Sequence, residues 1–149
     1  ITFIITMNNL SVSNLDKLLE GILNLRKQYS KDFQRVWFDT PVLTTPSWQS
    51  MQLLPEPYTM KLNRLKNWMN DNLETEDDLY HGFKDYEVKR LERDINWMQE
   101  PLGDDYVNNQ KADFYRFFSE SDKRHGTDFL TSFPEMKEWW NECKRCSYE

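Results

Sequence analysis

The chain opens on an uncharged, largely apolar run, ITFIIT from Ile1 to Thr6, which lacks the clean alternation of a half-solvated strand. Such a run of Ile, Thr and Phe predicts a strand covered on both faces, as in a parallel sheet. Asn8, Asn9 and Ser11 then supply the polar residues of a turn. Leu15, Leu18, Leu19, Ile22 and Leu25 follow at helical spacing, so a helix is expected from about Asn14 to Tyr29. Ser13 and Asp16 stand at its start as cap and acidic partner, and Gly21 is its weak point. After the polar link Ser30 to Asp32, RVWFD from Arg35 to Asp39 predicts a second strand, stopped by Pro41, which has no N–H for a ladder.

Strand, helix, strand is a βαβ unit, and its crossover makes the strands parallel. Two parallel strands leave edges and faces that need neighbours. The chain supplies no further strand pattern, so neighbouring strands are expected upstream of Ile1, and the chain is read as a fragment.

Residues Thr40 to Pro57 carry four prolines and no sustained period, the signature of an ordered loop at the end of a strand. Beyond it the pattern is helical. Tyr58, Leu62, Leu65 and Met69 share one face, and Val88, Leu91, Ile95 and Met98 share another. Glu74 to Asp78 is an acidic link between them. A further helix is expected over Asn108 to Asp122, with Phe114, Tyr115, Phe117 and Phe118 inward and Gly126 in the turn after it. The S-F-P-E start at Ser132 predicts a last helix with a capping box, followed by Met136, Trp139, Trp140 and Cys143. Two regions are therefore expected, 1–57 with the strands and 58–149 as a helical extension.

Composition narrows the function classes. The 149 residues have a net charge of −6, which repels phosphate backbones and argues against a nucleic-acid partner. No apolar run approaches the roughly 20 residues that span a bilayer, so no membrane partner is expected. Two cysteines, three positions apart near the C-terminus, suit a cytoplasmic compartment better than a secreted one.

Chemistry is sought first where parallel strands end. Thr6, Asn8 and Asn9 follow the first strand, and Asp39, Thr40 and the Trp48 loop follow the second, all able to fix a polar ligand. The plainer reading is that Asn8 and Asn9 cap a turn and Asp39 ends a strand. Cys143 and Cys146 make a C-x-x-C, but His81 and His125 are the only imidazoles and stand at no finger-like spacing, so no metal site is assigned within the chain. Phosphate-binding, zincin and nucleophile-elbow motifs are absent. Aromatic residues of the tail fall at helical spacing, which favours core over a stacking surface.

The stretches ITFIITMNNLSVSNLDKLLEGILNLRKQY and RVWFDTPVLTTPSWQSMQLLP resemble a late strand, helix and strand of radical SAM enzymes with SPASM or twitch extensions, and YRFFSESDKRHGTDFLTSFPEMKEWWNECK resembles their C-terminal helices. The resemblance implies an α/β fold: the C-terminal βαβ portion of a partial TIM-type barrel followed by a mostly helical tail. It implies that the parent protein is an enzyme using S-adenosylmethionine and a 4Fe-4S cluster. The cluster's C-x-x-x-C-x-x-C ligands are not in this chain, so the fragment alone would be inactive and would close the barrel. By position, Asn8, Asn9, Phe38, Asp39, Thr40 and Pro41 would approach the cofactor, and Thr6, Trp48, Gln49 and Gln52 the substrate, a peptide or small molecule. The implied partner is the upstream part of the same protein. The alternative is a non-catalytic α/β adaptor whose aromatic helical tail binds a protein partner.

Overall fold

A computed structural model describes all residues from Ile1 to Glu149. Strand β1 (Thr2–Ile4) leads into helix α1 (Leu15–Tyr29), which returns to strand β2 (Trp37–Asp39). Helices α2 (Glu56–Asp71), α3 (Asp85–Met98), α4 (Asp104–His125), α5 (Phe129–Ser132) and α6 (Lys137–Cys146) follow. The strands are parallel, with Thr2 beside Trp37 and Ile4 beside Asp39.

The sheet ends at these two strands, and helices make up most of the chain. The expected α/β class, a portion of a TIM-type barrel, is therefore corrected to a mainly helical fold carrying one short parallel pair. Side chains of α3 and its start lie along β2. From α3 and its start, Lys84 reaches over the Trp37 ring and Arg90 meets Asp39 at 2.9 Å. From the same helix, Glu87 meets Arg26 of α1 at 2.7 Å, and Asp94 accepts the Thr40 hydroxyl at 3.0 Å. Gln34 and Arg26 side chains donate to the Val36 carbonyl, so this carbonyl finds partners without another strand.

Burial along β1 alternates, which corrects the expectation of a strand covered on both sides. Phe3, Ile5 and Met7 turn inward, and Thr2, Ile4 and Thr6 are exposed. In β2 and its approach, Val36 and Phe38 are buried while Arg35 and Trp37 face out. One sheet face is thus packed on helices and the other is wet.

A single core of 25 buried side chains runs from Ile5 and Met7 through α1, α2 and α3 to Phe114, Trp139 and Cys143. It crosses the expected boundary at residue 57 without a break. Its aromatic end is a stack from the loop and tail: Trp48 lies 4.5 Å from Phe117, and Phe129 stacks on Trp140 at 4.4 Å. Offset and edge-on rings at such spacings gain more than their buried area.

Two expected caps are taken by each other. The Ser13 hydroxyl donates to Glu135 at 2.9 Å and the Asn14 amide donates to the same carboxylate at 3.2 Å. Neither α1 nor the turn Pro134–Met136 has a side-chain cap of its own, so the capping box expected at Ser132 is absent. Instead Asp128 caps α5 by accepting from the Thr131 N–H at 2.8 Å. Tertiary contact with a buried hydroxyl outweighed the local cap, because it joins the first helix to the last. Gly126 adopts φ of 65° just after α4, the left-handed C-terminal position only glycine takes at no steric cost.

Candidate functional site

The expected ligand-binding residues gather at the C-terminal ends of the strands, where Asn8, the Asn9 amide and Asp39 make hydrogen bonds within the chain. Asn8 Oδ1 accepts from the Leu10 and Ser11 N–H groups at 2.8 and 3.2 Å, closing a turn, and its amide donates to the Thr6 carbonyl at 3.1 Å. Asn9 is fully buried and donates from Nδ2 to the Trp48 carbonyl at 2.9 Å. Asp39 accepts from the Thr40 N–H and pairs with Arg90. Phe38 packs edge-on against Phe83 at 6.2 Å, and the Pro41 carbonyl accepts the Met7 N–H at 2.7 Å.

The residues expected to meet a substrate have similar tasks. Trp48 stacks on α4, and the Gln49 carbonyl accepts the Asn9 N–H at 3.0 Å. Gln52 donates to the Trp97 carbonyl at 2.9 Å, and the adjacent Ser47 hydroxyl donates to Gln110 at 2.6 Å. Together these contacts clamp the loop 40–57 onto α3 and α4. Within the set, Asn9 Oδ1 is buried without a partner and the exposed Thr6 hydroxyl makes no bond to the rest of the chain. The thiols do not make a cluster site. Cys143 is buried, its thiol pushed up by loss of solvation, and the Cys146 sulfur meets Asn108 at 3.7 Å. No three His, Cys, Asp or Glu side chains converge as metal ligands.

Two ionisable clusters lie beside β2. Arg26 and Glu87 form a bidentate pair at 2.8 and 2.7 Å, with side chains 0% and 1% exposed. Arg26 also donates to the Val36 and Gly82 carbonyls at 3.0 Å each, and Glu87 accepts the Lys84 N–H at 2.8 Å. Every strong hydrogen-bonding direction of the pair is used, which marks it as a structural staple. Asp94, its side chain 2% exposed, accepts from Thr40 at 3.0 Å and from Arg93 at 3.3 Å. Burial pushes its carboxyl above the ordinary 3.8, against the pull of Thr40 and Arg93. It borders an open groove of about 460 Å³ with Val42, Asn96 and Trp97.

The feature left without partners is the outer edge of β1. In a parallel ladder alternate residues aim both N–H and C=O to the same side. The Ile1 carbonyl accepts from Trp37, Ile5 donates to Asp39, and Met7 donates to Pro41. Ile1, Ile5 and Met7 thus face β2, and the backbone groups of Thr2, Ile4 and Thr6 point away from it. The one bond toward that side is Asn8 to the Thr6 carbonyl. No charged side chain occurs before Asp16. Native edges are usually blunted by shortness, Lys, Pro or a bulge; this strand spans three residues and carries no Lys or Pro.

Around the same strands is an apolar groove of about 520 Å³ lined by Ile1, Phe3, Leu25, Tyr29, Phe33 and Trp37, among others. Ile1 is 84% exposed, Ile4 64% and Phe33 54%. Reading the sequence missed this surface because an outward Ile in a strand has the same pattern as a buried one. The only signal was the Thr2, Ile4, Thr6 register itself. No protein-family model, curated protein or solved structure matches the chain.

Proposed function

We propose that this chain is a protein-interaction module that receives an extended, uncharged segment as an added strand on the open edge of β1. The single observation that carries the reading is the outward row Thr2, Ile4 and Thr6, side chains exposed and backbone unpaired except for the Thr6 carbonyl, on a strand without charge. Main-chain pairing would supply affinity, and the apolar groove with Phe33 and Trp37 would supply side-chain selectivity. The tail aromatics pack on Trp48 and on one another. A cytoplasmic setting goes with this reading, supported by two unpaired cysteines. No helix is long and apolar enough to cross a membrane.

Amide hydrogen exchange tests the proposal. The Thr2, Ile4 and Thr6 amides of the free chain should exchange fast while Ile5 and Met7, bonded to β2, are protected. Adding a short peptide of alternating Thr and Val should slow the first set. Unchanged exchange of Ile4 and Thr6 at saturating peptide would remove the reading.

A second reading keeps the enzyme class that the sequence resembles, with a radical SAM parent protein whose upstream portion holds the iron–sulfur cluster and S-adenosylmethionine. What favours it is that β1 and β2 run parallel and that β1 has room for one more neighbour. Expression of the gene with the codons preceding Ile1 tests it. Iron, a brown colour and cleavage of S-adenosylmethionine under reduction would support it, and a colourless, iron-free protein would end it.

A further inference from the structure

We infer that the segment received at the open edge of β1 is β1 of a second copy, so that the chain forms a two-fold dimer through a continuous sheet. The inference rests on the strand-docking reading and names its occupant. Turning β1 about an axis normal to the sheet at Ile4 lays the two strands antiparallel, in the order β2-β1-β1-β2. Thr2 then stands opposite the other copy's Thr6, and Ile4 opposite its own equivalent. These residues all aim N–H and C=O outward, so each pair can exchange hydrogen bonds in both directions, the Thr6 carbonyl accepting a second one beside that from Asn8. A two-fold interface must be self-complementary, and a Thr–Ile–Thr row read against itself meets that condition with β-branched partners at every position.

Charge selects this face over the others. The chain carries −6, so most pairs of like surfaces repel. Along β1 and its turn, from Ile1 to Leu10, there is no charged side chain to place against itself. The groove at the N-terminal end of the two strands adds exposed Ile1 and Phe33, with Arg35 in its wall. Because the dimer must overcome a net repulsion of distant charges, added salt should tighten it.

Sedimentation of the 149-residue chain over a concentration series, at low and high salt, is the test. The expected result is a reversible dimer that strengthens with salt. Ile4→Lys puts two cations opposite each other and should raise the dissociation constant roughly tenfold or more. Ile4→Glu should act alike, and mixing the two variants should restore dimers. That rescue cannot arise from misfolding. Thr2, Ile4 and Thr6 amides should become protected as concentration rises. A chain that stays monomeric, with these amides fast at every concentration, overturns the dimer. If the Thr/Val peptide then protects them, strand docking stands and only the second copy falls; if it does not, both fall.

Discussion

Replacing Glu87 by Gln should unfold this protein at much lower denaturant than any surface change, because it leaves the Arg26 charge buried without its counter-charge. The guanidinium is fully enclosed and 5.3 Å from the Phe38 ring centroid, so no solvent can take over the role of the carboxylate. The Val36 and Gly82 carbonyls would remain as acceptors, but they are dipoles and not a full charge. Removing one partner of a buried pair costs about 3–5 kcal/mol. Against a total stability on the order of 5–15 kcal/mol this is a large fraction. With a urea slope of about 2 kcal/mol/M, the unfolding midpoint should fall by roughly 2 M. Arg26→Met with Glu87→Met removes both charges, and the double variant should be more stable than either single one, since a buried pair can be replaced by apolar volume at little cost. A Glu87→Gln midpoint within roughly 0.5 M of wild type would refute the view of this pair as the staple between α1 and α3.

Gly21→Ala should raise stability by about 0.5–1 kcal/mol, read from urea unfolding, because Gly21 is exposed within α1 and an added Cβ meets nothing within 4 Å. Gly82→Ala should lower stability by about 2 kcal/mol or more in the same assay, since its Cβ would stand 2.4 Å from the Glu74 backbone nitrogen, where neither chain can yield cheaply. Asp94→Asn reports on pH. Its folded carboxyl titrates above the unfolded one, so the folded state holds the proton more tightly and stability is lost as pH rises through that interval. The stability of the variant relative to wild type should therefore increase as pH rises from roughly 4 toward 7, and a decrease would contradict the burial argument.

Local pattern was enough to place the helices, and the physical basis is specific. Leu62, Leu65 and Met69 of α2 and Val88, Leu91 and Ile95 of α3 repeat with the helical period because one face of each must be dry. The same regularity made Phe114 and Trp139 legible as core, whereas Phe117, expected inward beside them, is 51% exposed. The candidate site was hardly legible at all. Asn8, Asn9, Asp39 and Thr40 have the chemistry of a binding site, yet whether their atoms face a ligand or one another depends on Trp48, Arg90 and Asp94, up to 54 residues away.

By itself the sequence determined where the longer helices run, that two β-forming stretches flank the first helix, and that Phe114 and Trp139 of the tail belong inside, because these follow from periodicity and burial of one face at a time; the short α5 left no such period. Tertiary structure decided what lies beside each strand. Periodicity carries no record of what packs beside a strand; here Arg26 and Gln34 side chains take the Val36 carbonyl, Arg90 and Asp94 of α3 hold the Asp39 and Thr40 side chains, and the sheet ends at two strands. The same packing left Thr2, Ile4 and Thr6 facing outward, a consequence of where the helices stop and not of the residues themselves.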